Sequence, residues 1–463
     1  MSTTMPERFG RGETGANGFL DRSRSIAPRN FNRFLVPPAA LAVHLSIGQA
    51  YAFSTFNLPL TRLLGLSASA SGDWTLKEVG WTFSVAIAFL GLSAAVFGRW
   101  VEHAGPRKAM FVAATLFGGG FFVAALGIHL HAIALLFLGY GVLGGCGLGI
   151  GYISPVSTLI KWFPDRPGMA TGMAIMGFGG GALIAAPLSV LLMEHYKTPV
   201  SNGVVETFVT MGILYFVFMM IGAFTVRVPP QDWKPPGWTP PAMPRKLVTS
   251  ANVHVDTAWK TRQFWLLWVV LCMNVTAGIG VLGQASPMIQ EMFVGRVSPA
   301  AAAGFVGLLS LFNMGGRFFW ATISDYIGRR NTYLIFFSLG IVLYALVPSI
   351  GLMGSVPLFV AAFAVILSMY GGGFATIPAY LRDIFGSMNV GAIHGRLLTA
   401  WAVAGVLGPV LVNYLREYQI NSGVPKAQAY SVTMYIMCGL LLIGLACNVA
   451  VREVHARHHH TGS

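Results

Sequence analysis

Long stretches that carry no formal charge are the feature that most limits how this chain of 463 residues can fold. The first of them runs from Arg33 to Arg62, with no Asp, Glu, Lys or Arg between its ends. An α-helix needs about 20 predominantly apolar residues to cross the hydrocarbon core of a bilayer. The other stretches lie between Glu78 and Arg99, Lys108 and Lys161, Arg166 and Glu194, Glu206 and Arg227, Arg262 and Glu291, Arg296 and Arg317, Arg330 and Arg382, and Lys426 and Arg452. Only 10% of the residues are charged, against about 25% in soluble domains, so most of the surface must face a lipid bilayer.

These stretches predict an all-α membrane protein with twelve transmembrane helices. The two longest stretches are each long enough for a pair of helices. Glycine, histidine and proline residues predict the breaks within them, at 127–131 and at 348–357. A segment from about 390 to 415 adds one more span and contains His394 and Arg396.

The distribution of lysine and arginine predicts the orientation. With both termini in the cytoplasm, the cytoplasmic segments collect 22 of these residues and the outer loops six. Because cytoplasmic loops are enriched in Lys and Arg, this favours a multi-pass protein of the inner (plasma) membrane with both termini inside. The same distribution explains the net charge of +14 without a nucleic-acid partner. The polar, basic N-terminal tail lacks the apolar core of a signal peptide.

Two similar loops indicate an internal repeat. Each places an acidic residue three positions before a glycine that is followed by basic residues, and 223 positions separate Glu102 from Asp325. Phe163 and Phe385, at the ends of the fourth and tenth spans, are 222 positions apart. The loop residues are Gly98, Glu102, Gly105, Arg107 and Lys108 after the second span, and Asp325, Gly328, Arg329 and Arg330 after the eighth. The agreement of the two offsets predicts two related six-helix halves, as in transporters built from repeats.

The repeat divides the chain into five parts. We predict a cytoplasmic tail over 1–33, an N-terminal half over 34–227, a linker over 228–262, a C-terminal half over 263–452 and a C-terminal tail over 453–463. The linker holds seven prolines between Pro229 and Pro244, which predicts an extended or irregular segment.

The sequence lacks the residues that several functional classes of protein require. The sequence contains no Gly-Lys dipeptide, hence no phosphate-binding loop of an ATP-driven pump. The four cysteines lie in apolar runs without paired spacing, so neither disulfides nor a cysteine metal site is implied. No cofactor is expected. All sixteen acidic residues fall in loops or at the ends of spans, so the sequence lacks the carboxylate deep in a helix that proton-coupled pumps and cation carriers usually need. An intramembrane enzyme would need clustered His, Asp or Glu on facing helices, and no such pattern is visible, so we predict that the protein is not an enzyme.

Arg317 is the strongest candidate for a functional residue, because an ionisable side chain inside a span costs about 2.5–3.5 kcal/mol on insertion scales. It lies eight residues before Asp325, about 12 Å from the end of the helix. An arginine at that depth requires an anion, and a carboxylate can pair with it through two hydrogen bonds. The alternative is that Arg317 only binds helix carbonyls and packs.

Three other polar residues within spans are candidates for coupling transport to another ion: His44, His394 and Arg396. Each also has a structural interpretation. A single histidine such as His44 is often a hydrogen-bonded packing residue, and Arg396 can extend toward the membrane surface or pair with Asp383.

Several motifs resemble a known family. The acidic–x–x–Gly–basic–basic loops resemble those of the major facilitator superfamily. Three further segments, 48–53 (GQAYAF), 161–165 (KWFPD) and 261–265 (TRQFW), together with 317–325 (RFFWATISD), make the chain similar to its oxalate/formate antiporter family, including monocarboxylate-transporter-like members. The resemblance covers about residues 34–452. Glu102 departs mildly from it, since Asp is usual at that position.

The resemblance implies the composition of a binding site. It places a substrate carboxylate on Arg317 and encloses the substrate with aromatic side chains. The matching aromatic positions are Tyr51, Tyr370 and Phe374, with Tyr152 as a weaker match. In oxalate-exchanging members a lysine in the eleventh span joins the arginine, whereas Trp401 stands at that position here.

We therefore expect a secondary transporter of small carboxylates that works by alternating access as a monomer. One central cation balances one carboxylate, so monocarboxylates such as formate, lactate or pyruvate are favoured. An oxalate:formate exchanger is the alternative within this class, and a membrane sensor without flux is the alternative from another class. The sequence is compatible with both exchange and proton symport.

Overall fold

The computed structural model describes residues 18–239, 247–249 and 251–460. Within them, twelve helices are long and apolar enough to cross a membrane, as predicted from the charge-free stretches. They are called spans 1 to 12 here. Their bounds are Arg33–Leu60, Leu76–Ala104, Pro106–His129, Ile133–Trp162, Pro167–Tyr196, Val204–Thr225, Arg262–Leu282, Ala301–Ile327, Arg329–Leu352, Val356–Phe385, Val390–Asn421 and Lys426–Ala450.

Local sequence signals set the ends of the spans. Span 2 begins at a capping box, in which the Thr75 side chain accepts from the Glu78 backbone and the Glu78 carboxylate accepts from the Thr75 backbone. Gly105 and Gly328 join spans 2 to 3 and 8 to 9 with positive φ angles of 79° and 88°. Side chains other than glycine rarely adopt these angles, so glycine allows one helix to follow another directly.

Three spans depart from a regular α-helix part-way along their length. Span 1 changes to a 3-10 helix over Gly48–Phe56, and span 4 contains a π-helix over Phe137–Gly144. Span 11 is divided into helices Val390–Leu397 and Thr399–Asn421. Such irregular segments often mark functional positions. The 3-10 segment of span 1 contains Tyr51, and Trp401 follows the break in span 11.

The described ends of the chain and the described part of the linker lie together at one end of the spans, called the linker side. The backbone N–H of Ala27 donates to the Val228 carbonyl at 2.9 Å, and Val253 pairs with His459. Of the linker, residues 228–239, 247–249 and 251–261 are described, and they are irregular apart from the short helix Val255–Ala258. It also binds the end of span 10, where the Val253 N–H donates to the Phe385 carbonyl at 2.9 Å.

Candidate functional site

Arg317 lies at the centre of the molecule, in the middle of span 8, and is completely buried. Its Nε donates to Asn313 Oδ1 at 3.1 Å, one turn earlier in the same helix. Its Nη1 donates to the Ile175 carbonyl of span 5 at 3.4 Å, so the side chain connects the two halves. Nη2 has no hydrogen-bond acceptor among the described residues.

Six aromatic side chains surround this guanidinium and are called the aromatic enclosure here. They are Tyr51, Tyr152 and Phe178 from the N-terminal half and Tyr370, Phe374 and Trp401 from the C-terminal half. The Arg317 Cζ lies 5.2 Å from the centroid of Phe374 and 5.6 Å from that of Phe178. Aromatic faces attract a cation at this range, which offsets part of the cost of burying the arginine.

Trp401 packs at the junction of the two halves. Its ring centroid lies 4.5 Å from Phe374, 5.3 Å from Phe178 and 5.4 Å from Tyr152. Tyr51 and Tyr370 join the halves a second time through a hydrogen bond of 3.0 Å between their hydroxyl groups. The enclosure is therefore assembled from both repeats and depends on how they are oriented.

The enclosure presents an excess of hydrogen-bond donors. Arg317 Nη2, the Tyr152 hydroxyl and Trp401 Nε1 are all buried, and none of them has a partner among the described residues. A buried donor without an acceptor costs about 1–3 kcal/mol, more if it is charged. Each of these three groups can donate to a hydrogen-bond acceptor that enters the enclosure.

The predicted site residues divide into two groups. Arg317, Tyr51, Tyr152, Tyr370, Phe374 and Trp401 come together in the enclosure, and His44 and His394 lie beside it, with ring centroids 5.3 Å and 5.9 Å from that of Tyr152. Arg396 points away from the enclosure and binds the linker.

The structural interpretation of Arg396 as a partner of Asp383 is wrong. Arg396 Nη2 donates to Asp256 at 2.6 Å, and its Nη1 donates to the Val255 carbonyl at 2.8 Å. The hydrogen bond from Arg396 lowers the pKa of the Asp256 carboxyl, which is outside the spans. Asp383 instead accepts from Arg329 Nε at 3.2 Å. A partner in the linker could not be found from span patterns.

The repeated loops connect opposite halves on the linker side. Asp325 accepts from the backbone N–H groups of Gly168 and Met169, at 2.9 and 2.8 Å, where span 5 begins. Glu102 accepts from the Gly391 N–H at 3.0 Å, where span 11 begins, and pairs with Lys161 at 2.7 Å. Carboxylates are stabilised at helix N-termini by the exposed N–H groups and the helix dipole. Both loops therefore hold the linker side closed in this structure.

The other residues of the loops have separate roles. Arg329 pairs with Asp325 at 2.5 Å and contacts Ser324, whereas Arg330 donates to the Val449 carbonyl at 2.6 Å. Gly98 allows span 2 to approach span 11, because an added Cβ would lie 2.9 Å from Ala392 Cα. Arg107 is buried and Lys108 is exposed.

Sequence reasoning missed two members of the site, Phe178 and Asn313. Phe178 interrupts the glycine run 177–181, and such a run indicates close helix packing. The bulky ring between these glycines was the signal that could have identified Phe178 as a site residue. Asn313 precedes Arg317 by one helical turn, the spacing that places two side chains on one face.

Comparison with known proteins identifies the family. The family model described as "Major Facilitator Superfamily" matches residues 30–409. The chain belongs to the major facilitator superfamily. Two curated relatives are the "Oxalate:formate antiporter" of Oxalobacter formigenes, 30% identical over 81% of this chain and 82% of the relative, and the "Apicoplast pyruvate carrier 1" of Toxoplasma gondii, 23% identical over 71% and 68%. These relatives agree with the family resemblance predicted from the sequence motifs, and the chain is a transporter-family protein rather than an enzyme.

A solved structure supports the fold. A proton:xylose symporter of the major facilitator superfamily superposes with a TM-score of 0.64 at 14% identity, covering 90% of this chain and 94% of that one. At this identity the likeness concerns the fold alone. It confirms the prediction of an all-α membrane protein with the twelve-helix fold of the superfamily.

For this member of the major facilitator superfamily, Asp325→Asn is expected to change transport turnover more than substrate affinity. Asparagine keeps an oxygen near the start of span 5 but loses the charge that binds Arg329 and the helix terminus, and such interactions contribute about 1–2 kcal/mol in partly buried geometry. Uptake rates in proteoliposomes and direct binding to the purified protein separate the two effects. Glu102→Gln tests the equivalent contact with span 11. An equal loss of binding affinity would place Asp325 in the substrate site instead.

Gly179→Ala is expected to weaken substrate binding. An added Cβ would lie 2.8 Å from Arg317 Nε and 3.2 Å from Met314 Cα, so the guanidinium or span 8 must move. Overpacking of this kind costs about 1–3 kcal/mol. Gly119→Ala is the matched control, because nothing lies within 4 Å of its added Cβ. Calorimetric titration of both variants measures the effect, and equal affinities for the two would contradict the prediction.

Proposed function

We propose that this protein is a secondary active transporter of small monocarboxylates, such as formate, lactate or pyruvate. The observation that carries the proposal is the buried Arg317, which has a donor without a partner among the described residues inside an enclosure of aromatic rings. A carboxylate supplies the missing negative charge and accepts from the guanidinium through both oxygens. The Tyr152 hydroxyl and Trp401 Nε1 remain available for a further oxygen of the substrate.

The charge of the enclosure favours one carboxylate over two. Among the described residues, Arg317 is the only arginine or lysine in the enclosure, because Arg396 is bound to Asp256 in the linker. A dianion would bring a second charge into this low-dielectric site without a partner, at a cost of several kcal/mol. The six aromatic rings favour a substrate with an apolar portion. The Toxoplasma gondii relative is named as a pyruvate carrier, which is consistent with this choice.

Exchange of oxalate for formate is the second candidate function. It is favoured by the 30% identity with the Oxalobacter formigenes antiporter over 81% of this chain. Trp401 argues against it, because an indole contributes no positive charge to balance a second carboxylate.

The linker side is proposed to face the cytoplasm of a cell with the protein in its plasma membrane. This assignment follows the excess of Lys and Arg in the segments of that side. The contacts of Asp325 and Glu102 close this side, and breaking them would open the enclosure toward it. One chain supplies every residue of the enclosure, so we propose that a monomer carries out the transport cycle by alternating access.

Competition during counterflow tests the proposed function. Proteoliposomes are loaded with unlabelled pyruvate and diluted into labelled pyruvate, with formate, lactate, acetate and oxalate as competitors. We expect accumulation of label, and we expect monocarboxylates to compete at least about a hundredfold better than oxalate, which corresponds to about 3 kcal/mol. Oxalate outcompeting every monocarboxylate at neutral pH would support the exchanger, and binding without flux would support a sensor.

A further inference from the structure

His44 is completely buried in span 1, beside the aromatic enclosure. Its Nδ1 faces the carbonyl oxygen of Ala174 in span 5, and its Nε2 lies 3.1 Å from the carbonyl oxygen of Tyr152 in span 4. The imidazole also stacks on the Tyr152 ring, with centroids 5.3 Å apart and an interplanar angle of 23°. Both ring nitrogens are thus directed at hydrogen-bond acceptors.

Two acceptors match only one protonation state of the ring. A neutral imidazole has one N–H donor and one nitrogen lone pair, so one of the two carbonyl oxygens would face a lone pair. The imidazolium cation has two N–H donors and satisfies both carbonyl groups. Hydrogen bonds to the charged form of a group stabilise that form.

We propose that His44 is a proton-binding site that couples the movement of one proton to the movement of one carboxylate in the same direction. This inference rests on the proposed function, and it decides between exchange and proton symport in favour of symport. His394 is less suited to the role, because neither of its ring nitrogens has a partner among the described residues.

The proton site and the substrate site share two segments of the chain. Ala174, which faces His44, precedes Ile175, whose carbonyl accepts from Arg317. Tyr152 contributes its carbonyl to His44 and its ring to the enclosure. A change of protonation at His44 therefore acts on both segments that surround the carboxylate.

The groups that face His44 show why the proton and the anion must bind together. Tyr152 is neutral. The charge of Arg317 acts on His44, and a charge on His44 would act on His394. Spans 3, 5 and 6 also pack against span 1, and apart from Tyr215 their titratable residues lie at the span ends: Arg107, Lys108, His129, Glu194, His195, Tyr196 and Glu206. Burial away from water is the largest effect that opposes a proton on His44, and the charge of Arg317 opposes it further, so a nearby substrate carboxylate is needed to compensate.

The charge inside the membrane then stays constant through the cycle. The empty carrier holds Arg317 as a cation with neutral His44, and the loaded carrier holds two cations and one carboxylate. The net charge of these groups is +1 in both states, so transport moves no net charge. Binding of one ligand must raise the affinity for the other by the same factor, typically about 5- to 150-fold.

A trapped pH dye in proteoliposomes tests the proposal. Pyruvate is added outside vesicles that contain pyranine, and substrate counterflow is measured on the same preparation. The wild-type protein is expected to acidify the interior by one proton for each pyruvate taken up, with a rate that a potassium–valinomycin potential leaves unchanged. His44→Gln is expected to lose the acidification and to make net uptake sensitive to the potential, because glutamine binds no proton.

Two controls make the result specific. His394→Gln and His195→Gln, the latter at an exposed position at the end of span 5, are expected to acidify like the wild type. Nitrogen NMR of histidine-labelled wild-type protein with pyruvate is expected to show one doubly protonated ring that His44→Gln lacks, whether or not that variant transports. Wild-type counterflow without acidification, acidification by His44→Gln, or its loss in His394→Gln alone would overturn the inference. Absence of wild-type counterflow with every carboxylate would instead overturn the proposed function, and the inference with it.

Discussion

Arg317→Gln is expected to abolish carboxylate uptake while the protein still folds and inserts. Glutamine removes the only arginine of the aromatic enclosure among the described residues, together with the Nη2 donor that has no partner there. A carboxylate buried without its cation loses about 3–5 kcal/mol, or at least about a hundredfold in affinity. Folding should not suffer, because the substitution also removes a buried charge that is costly to place in the membrane.

The measurements are uptake in proteoliposomes, direct binding, and thermal stability in detergent. Arg317→Lys should rescue only weakly, since an ammonium group keeps the charge but loses the planar pair of donors. Arg296→Gln is the matched control, because that arginine is exposed and donates to the Gly354 carbonyl away from the enclosure at 2.8 Å. Near-normal uptake by the Arg317→Gln variant would refute a carboxylate site at this residue.

Trp401→Lys is expected to shift the substrate preference toward a dianion such as oxalate. Trp401 is completely buried and packs between Phe374 and Phe178, so a lysine there would bring a second cation to the enclosure. An added cation would compensate the second carboxylate of oxalate, and the loss of the indole would remove apolar contact with larger monocarboxylates. The expected change in the ratio of oxalate to pyruvate affinity is about a hundredfold or more.

Competition assays on the wild type and the variant measure this ratio. Trp401→Gln separates charge from size, because it removes the indole without adding a cation and should weaken pyruvate binding with no gain for oxalate. If Trp401→Lys folds but keeps the wild-type order of substrates, the charge of this position does not set the preference.

The sequence by itself determined the number of spans, their approximate ends and the repeat. These features depend on local properties. A segment without charges that is about 20 residues long must form a helix in lipid, since every backbone N–H and C=O needs a partner within the segment. The same argument identified Arg317, because a charge inside such a segment is conspicuous whatever surrounds it. Family motifs added the aromatic positions, which spacing alone could not distinguish from ordinary packing.

Only the tertiary structure decided which side chains meet. Phe178 enters the enclosure because the glycines around it let span 5 approach spans 1 and 8, and Arg396 leaves it because the linker returns to offer Asp256. The repeated acids bind the first turns of spans 5 and 11 in the opposite half, not only the basic residues beside them. The proposed role of His44 depends on two carbonyl oxygens from different spans that face its ring nitrogens. Contacts of this kind depend on the register and distance between helices, which are set by close packing of the whole bundle and which the apolar pattern of a single span does not encode.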